Sequence, residues 1–398
     1  MGPVRRRRRR KKPADDLSLG NDGVLPVEIL YEVLLRLPAN ATCRLRLVCR
    51  SWRSLTSDPV FTQAHSSRHP LLAGVSDHEV RVVDLLSGDT VRRMAPAERP
   101  RYGMNSQLDV VCVSAMSTHE RSSLLNPATG EVITTFLPGS RERGEEIMSP
   151  FLLGHIPSTG ELKVFYSHMR SDRDGFLVQT CYVATLIGSG GSRRWRATPR
   201  PPVLISSWPQ DSVVIAGVAY ILSSLQYSQR DLHTDLEPDA MAVYNLAKEE
   251  WKPAPLRGPL SSRLDAAADE KKLVYHEHRD DVRLAVMDGC LVTVHHNRCQ
   301  DCLMDLWFLV DMDIDKGLWT KRYSVQCAGP CEMYASTSSS SYPLLVLDDG
   351  RIATWEERTG VVRVYDPRTS KWDDIATLEN YFSVNIYRGN LLCPGLQS

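Results

Sequence analysis

The one run of residues with metal- or thiol-chemistry spacing is His295-His296-Asn297-Arg298-Cys299-Gln300-Asp301-Cys302. Two cysteines at CxxC spacing beside two histidines could supply zinc ligands, with Cys327 and Cys331 completing the set. A structural zinc site needs four convergent ligands, however, and adjacent residues of a strand project to opposite faces. The run therefore reads as a polar loop, and no metal is assigned. A redox CxxC needs a βαβ context, which is missing. Gly188-Ser-Gly-Gly-Ser-Arg-Arg194 lacks the GxxxxGK[ST] order and a following apolar helix, so it reads as a hairpin. Ser336 to Ser341 reads as a linker loop that could accept phosphate. No Gly-x-Ser-x-Gly elbow, HExxH or kinase signature occurs. No cofactor is implied, and no intrinsic enzymatic activity is expected.

The chemistry this chain can do is instead apolar contact. Residues 25–55 read LPVEILYEVLLRLPANATCRLRLVCRSWRSL. Val27, Ile29, Leu30, Val33, Leu34 and Leu37 recur at helical spacing over about three turns. Pro26 suits the first helical position, where its missing N–H is no loss, and Pro38 stops the helix. Asn40 is a reasonable cap for a second helix carrying Cys43, Leu45, Leu47 and Val48. A third helix carries Trp52 and Leu55 and stops near Asp58-Pro59, because proline pushes its predecessor out of the helical region. Three short helices form too small a core for much independent stability. Their surplus apolar surface must meet the rest of the chain or a partner groove.

Leu25-Pro26, Glu28-Ile29-Leu30, Leu37-Pro38, Val48-Cys49-Arg50-Ser51-Trp52, Leu55 and Asp58-Pro59-Val60-Phe61 closely resemble the F-box. The resemblance implies a three-helix module over residues 23–69 that docks on the Skp-type adaptor of cullin/RING (SCF) ubiquitin ligases. It assigns adaptor contact to Leu25, Pro26, Ile29, Leu30, Val33, Leu34, Pro38, Leu45, Val48, Cys49 and Trp52. Within that set Leu30, Leu34 and Trp52 should be partly buried in the module, and Leu25, Pro26, Ile29 and Val48 should face the partner.

No apolar run approaches the ~18–20 residues that span a bilayer, and no signal-peptide core follows the basic start. The ten scattered cysteines read as reduced thiols of an intracellular protein. The net charge of zero hides an asymmetry. Arg5, Arg6, Arg7, Arg8, Arg9, Arg10, Lys11 and Lys12 form an unbroken basic run; outside it 40 lysines and arginines face 48 carboxylates, a net of −8. Residues 1–22 are expected to be a disordered tail. The run could be a nuclear localisation signal, a nonspecific contact to nucleic acid or anionic membrane, or a solvated tail without function. The expected location is nucleus and/or cytoplasm. An acidic remainder argues against nucleic acid as the main ligand of the folded part, and no membrane segment is expected.

From about Leu71 the texture changes to short Val/Ile/Leu/Tyr runs between Gly, Pro, Asn, Asp and Ser clusters, the signature of a large all-β domain over residues 70–398. A glycine feeds a buried-looking strand at Gly217-Val-Ala-Tyr220, Gly289-Cys-Leu-Val292, Gly350-Arg-Ile-Ala353 and Gly389-Asn-Leu-Leu392. A second element is a strand, a tight turn and a tryptophan, ending at Trp251, Trp319 and Trp372, with Trp195 marking a degenerate copy. Asn126-Pro-Ala-Thr-Gly130 and Ile156-Pro-Ser-Thr-Gly160 supply the same turn earlier: proline presets φ, the Asx side chain caps, and the small residue takes the awkward angle.

The tryptophan spacings of 56, 68 and 53 fit blades of about 50 residues once polar insertions at Ser224–Asp239 and His295–Asp301 are allowed. The region resembles the F-box-associated β-propeller-like domains of plant F-box proteins, and also divergent kelch repeats lacking the double glycine. A six- or seven-bladed propeller is expected, with a two-sheet sandwich as the alternative.

Phe382–Cys393 has the glycine-strand element with no tryptophan strand after it, whereas Val80–Val91 offers outer strands around a Ser87-Gly88 turn with only a weak inner partner. A ring joining the last strands to the first accounts for both and removes exposed sheet edges. The function implied is a non-enzymatic substrate receptor of an SCF-type ligase, holding an unknown protein target. The alternatives are an F-box scaffold outside ubiquitination and a small-molecule-binding propeller.

Overall fold

A computed structural model describes residues 25–95, 103–114, 121–137, 147–148, 151–171, 177–188, 194–224, 239–261, 282–297, 303–311, 317–326 and 341–389. The basic run 5–12, Cys299, Cys302, Cys327, Cys331, Cys393, Leu391 and Leu392 lie outside the described residues, as does all of the serine stretch except Ser341.

The N-terminal module carries one helix more than the three expected: α1 (Val27–Leu35), α2 (Ala39–Leu45), α3 (Arg50–Ser57) and α4 (Pro59–Arg68). Asp58-Pro59 does end α3, but the same pair starts α4. Asp58 Oδ1 accepts the Val60 N–H at 2.8 Å and the Phe61 N–H at 3.4 Å, and Pro59 takes the first helical position. Asn40 is not a cap. It lies inside α2, whose preceding position is Pro38 with extended backbone angles. A proline there leaves no N–H to satisfy, so the helix starts one residue before the side-chain cap that the sequence offered.

Among the described residues six antiparallel sheets follow, so the ring has six blades, each with four strands ordered from an inner first to an outer fourth; the third blade also pairs Ile147–Met148 with its second strand. The second blade is Gly103–Gln107, Val110–Ser114, Ser122–Asn126 and Glu131–Phe136; the third is Leu152–Ile156, Glu161–Ser171, Leu177–Ile187 and Arg196–Ala197. The fourth is Ser212–Ile215, Val218–Leu222, Met241–Asn245 and Glu250–Trp251. The fifth is Val282–Met287, Cys290–Asn297, Leu303–Asp311 and Leu318–Gln326, and the sixth is Ser341–Val346, Ile352–Glu356, Val361–Asp366 and Lys371–Thr377.

The first blade is built from both ends of the β-region. Tyr381–Tyr387 is its inner strand and pairs with Leu71–Ser76, which pairs in turn with Val80–Asp84 and Thr90–Met94. The ring is thus closed, and Val80–Asp84 is an outer strand that obtains its inner partners from Leu71–Ser76 and the far end of the chain.

The turn joining third and fourth strands recurs in four blades with one construction. Asp84, Asn126, Asn245 and Asp366 each accept backbone N–H groups two residues on through Oδ1, and three on in the first three. The residue four on bonds back to the Asx carbonyl with positive φ: Gly88, Gly130, Glu249 and Ser370.

The tryptophans pin each blade to the one before it. Trp195, Trp251, Trp319 and Trp372 donate Nε1–H to the carbonyls of Leu137, Pro199, Arg257 and Gln326 at 2.7 to 3.2 Å. The first and second blades have no such residue. There Arg92 of the first blade donates to the Thr129 carbonyl at 3.2 Å. Between the third and fourth blades, buried Lys163 donates to Glu249 at 2.9 Å and to the Leu246 carbonyl at 3.0 Å. The Arg196 guanidinium on the same carboxylate holds Glu249 below the usual carboxylate range.

Closure yields a stability prediction. A chain ending at Asn380 loses the buried side chains of Tyr381, Val384 and Tyr387, each contributing about 1.5–3 kcal/mol as an upper bound, and exposes two strand edges. That loss is comparable to the whole stability of a typical domain. Such a chain should aggregate on expression, checked by soluble yield and circular dichroism; a soluble, cooperatively melting product would contradict closure.

Candidate functional site

The α1 helix sorts its apolar residues onto two faces. Leu30, Leu34 and Leu35 are buried against Phe61 of α4, with Tyr31, Leu37, Cys43, Leu45, Trp52 and Leu55 packed around them. Tyr31 meets Phe61 edge-on with ring centroids 5.3 Å apart. Leu25, Ile29 and Val33, spaced four apart on the other side, remain 42%, 49% and 45% exposed. The α2–α3 corner adds Leu47 and Val48, 78% and 64% exposed, and α4 adds Val60 at 69%. An exposed apolar set of this kind on a small module is the physical mark of a docking surface.

Of the eleven residues assigned from sequence, Leu30 and Leu34 are therefore core, and Pro38, Leu45 and Trp52 are half-buried supports. Leu25, Pro26, Ile29, Val33, Val48 and Cys49 are open to a partner. Leu47 and Val60, outside those eleven, are open as well. Leu47 fits the apolar period of a second helix, but α2 ends at Leu45, and the turn through Arg46–Val48 swings Leu47 outward.

Ring topology decides where this module sits. In a blade ordered one to four, the first–second and third–fourth connections leave from one end, and the second–third and inter-blade connections from the other. The first set is mostly tight turns such as 108–109, 216–217, 288–289 and 246–249, with 188–195 and 312–317 longer; the second includes the longest connections, 223–240 and 252–281. Because α4 runs directly into the start of Leu71–Ser76, the helices must lie at the tight-turn end. A groove of about 550 Å³ there is walled by Leu35, Arg36 and Arg68 on one side and Leu86, Asp288 and Leu347 on the other.

The junction is a stack of rings. Phe61, His65 and His69 follow one another at centroid distances of 5.8 and 4.7 Å. His65 Nε2 lies 2.9 Å from the Leu37 carbonyl and His69 Nε2 3.0 Å from the Leu35 carbonyl. His69 Nδ1 is 3.8 Å from the buried Asp84 carboxylate of the first blade.

A channel of about 230 Å³ is lined by residues of several inner strands, among them Gln107, Ser212, Arg283, Tyr342 and Asn385. At the end away from the helices Trp208 is 54% exposed, on a loop where Ser206 Oγ–H donates to buried Asp211 at 2.5 Å.

His295 and His296 are neighbours in the strand Cys290–Asn297, and among the described residues no three His, Cys, Asp or Glu side chains converge as metal ligands. Burial pushes the Cys112 thiol up to about 12 and raises Cys181 as well, so neither is a ready nucleophile. No described helix is long and apolar enough to cross a membrane.

The F-box-like family model matches residues 23–65, which take in α1 to α3 and most of α4. Residues 23–65 are an F-box-like domain. The relatives are plant F-box proteins. The F-box protein At3g07870 of Arabidopsis thaliana is 22% identical over 96% of each chain. The F-box/kelch-repeat protein At3g23880 of the same plant is 48% identical over 42 residues, 11% of this chain and 12% of that one. Among solved structures, a chain of a nidogen/laminin complex covers 80% of this chain and 98% of its own length at 11% identity and a TM-score of 0.40, too slight a likeness to argue from.

The F-box carries its own pH dependence. Burial pulls the His65 imidazole below its ordinary value near 6.5. The unfolded chain therefore binds a proton that the folded chain refuses, so stability is full above about pH 6.5 and falls as pH drops below it. Thermal melts of the full chain between pH 5 and 8 should show the melting temperature rising with pH and levelling above that value. In His65→Gln this rise should shrink.

Proposed function

We infer that this chain is the target-recognition subunit of an SCF-type ubiquitin ligase. The F-box docks a Skp-type adaptor, and through it a cullin and a RING subunit, while the propeller holds a protein target. The observation that carries the reading is the apolar set Leu25, Ile29, Val33, Leu47, Val48 and Val60, left uncovered by the propeller on an F-box-like domain.

Catalysis by such a subunit is proximity alone. Holding a target beside the loaded conjugating enzyme raises the local concentration of its lysines, so no catalytic group is required of this chain. The long connections on the face away from the F-box support that face as the one that meets the target, since specificity is carried by variable loops on a rigid scaffold. The tight-turn face is partly occupied by the helices. Trp208, an exposed aromatic on a pinned loop, is the described residue best suited to anchor a target there.

Leu25→Ala with Pro26→Ala removes apolar contact without touching the buried set. Pull-down of a Skp-type adaptor by this variant should fall about tenfold or more, with an unchanged melting temperature. Undiminished capture would sink the adaptor reading.

The basic run 5–12 supports nuclear import. A fluorescent fusion in which those residues become Gly and Ser should move to the cytoplasm, with no shift in melting temperature. Retention in the nucleus would assign localisation to another segment.

A further inference from the structure

The helical module carries a feature that the α1 face does not use. Between Arg36 and Ser57 there are five arginines and no carboxylate. Four of them, Arg44, Arg46, Arg50 and Arg53, fall within ten residues at the corner where α2 turns into α3. Arg46 donates through Nη2 to Ser57 Oγ at 2.7 Å, and Arg53 donates through Nε to the Arg46 carbonyl at 3.3 Å. Both acceptors are neutral, so these bonds hold the guanidiniums in place without cancelling their charge. Among the described residues none of the four lies within ion-pair distance of a carboxylate, whereas Arg68 of α4 is paired with Glu32 at 3.1 Å.

The arrangement is electrostatically unfavourable in the isolated chain. Four like charges crowd together, and Arg50 stands in the first turn of α3, where the helix dipole favours an anion. Leu47 and Val48 project from the same corner, and Leu47 is the most exposed large apolar residue described. A partner covering them therefore gains both apolar burial and relief of this repulsion.

We propose that the surface of the adaptor which covers Leu47 and Val48 is acidic, with carboxylates facing Arg44, Arg46, Arg50 and Arg53, so that charge steers the docking. This rests on the reading that the F-box binds a Skp-type adaptor. An acidic protein fits better than a phosphate-rich surface. The same module exposes Glu28 and Glu32, which lipid headgroups or a nucleic-acid backbone would repel, and the branched Leu47 and Val48 side chains need a shaped apolar pocket.

The test is the association rate of the full chain with a purified Skp-type adaptor at 50, 150 and 500 mM NaCl. Steering predicts a fall of about tenfold or more in the association rate across that range, with a much smaller change in dissociation. Arg44→Gln with Arg50→Gln should melt normally, associate several-fold more slowly at 50 mM and lose most of the salt dependence. A variant with residues 5–12 changed to Gly and Ser should keep it. Adaptor binding at a rate insensitive to salt overturns this proposal and leaves the adaptor reading intact. Salt dependence that disappears with residues 5–12 instead of with Arg44 and Arg50 overturns it too. Capture by phosphatidylserine vesicles or duplex DNA as tight and as salt-dependent as capture by the adaptor also overturns it. Absence of adaptor binding at every salt concentration removes the adaptor reading itself, and this proposal with it.

Discussion

Pairing of Tyr381–Tyr387 with Leu71–Ser76 is the contact on which the architecture depends, because it joins residues about 300 positions apart into one sheet. The register runs from Leu71 opposite Tyr387 to Val75 opposite Ser383 and makes the far end of the chain the innermost strand of the first blade. Neighbouring blades are then bonded across the seam as elsewhere: Ser106 Oγ donates to the Ile386 carbonyl at 2.6 Å, and Tyr387 donates to the Asp109 carbonyl at 3.1 Å. Without this pairing the Leu71–Ser76 edge would stand open; the closed ring leaves each blade only a short inner and a short outer edge.

Closure also sets the position of the F-box. The helices enter the ring at the start of a second strand, and alternation of strand direction puts that point at the tight-turn end. The stacked Phe61, His65 and His69 rings, with Asp84 beyond them, join the two parts directly through packed side chains. The longest connections, 223–240 and 252–281, lie on the side the helices leave free.

Blade-to-blade cohesion uses one device where it can. An outer-strand tryptophan reaches back to a carbonyl of the preceding blade in four places, and an aromatic or long aliphatic side chain covers it from within the sheet, as Tyr244 does for Trp251 and Tyr365 for Trp372. Between the first and second blades, which have no such tryptophan, Arg92 bonds forward to the Thr129 carbonyl in the outer turn of the second blade.

Much of this was written locally. Turn chemistry at Asn126, Asn245 and Asp366, the alternating strands and the apolar period of α1 follow from φ preferences and side-chain spacing, and they are legible without a fold. The F-box motif was equally legible, because Leu-Pro, Leu-Pro and Val-Cys-x-x-Trp act within about 40 residues. Three things were not. Asp58-Pro59 reads as the end of one helix; that the same pair also starts another shows only with the burial of Phe61 against Leu30 and Leu34. Leu47 belongs to an apolar run whose outward direction depends on where α2 stops. The choice between six and seven blades, and the face on which the helices lie, depend on pairing between Leu71 and Tyr387. No local pattern encodes such a contact; the chain reaches it only when every blade between has taken its place.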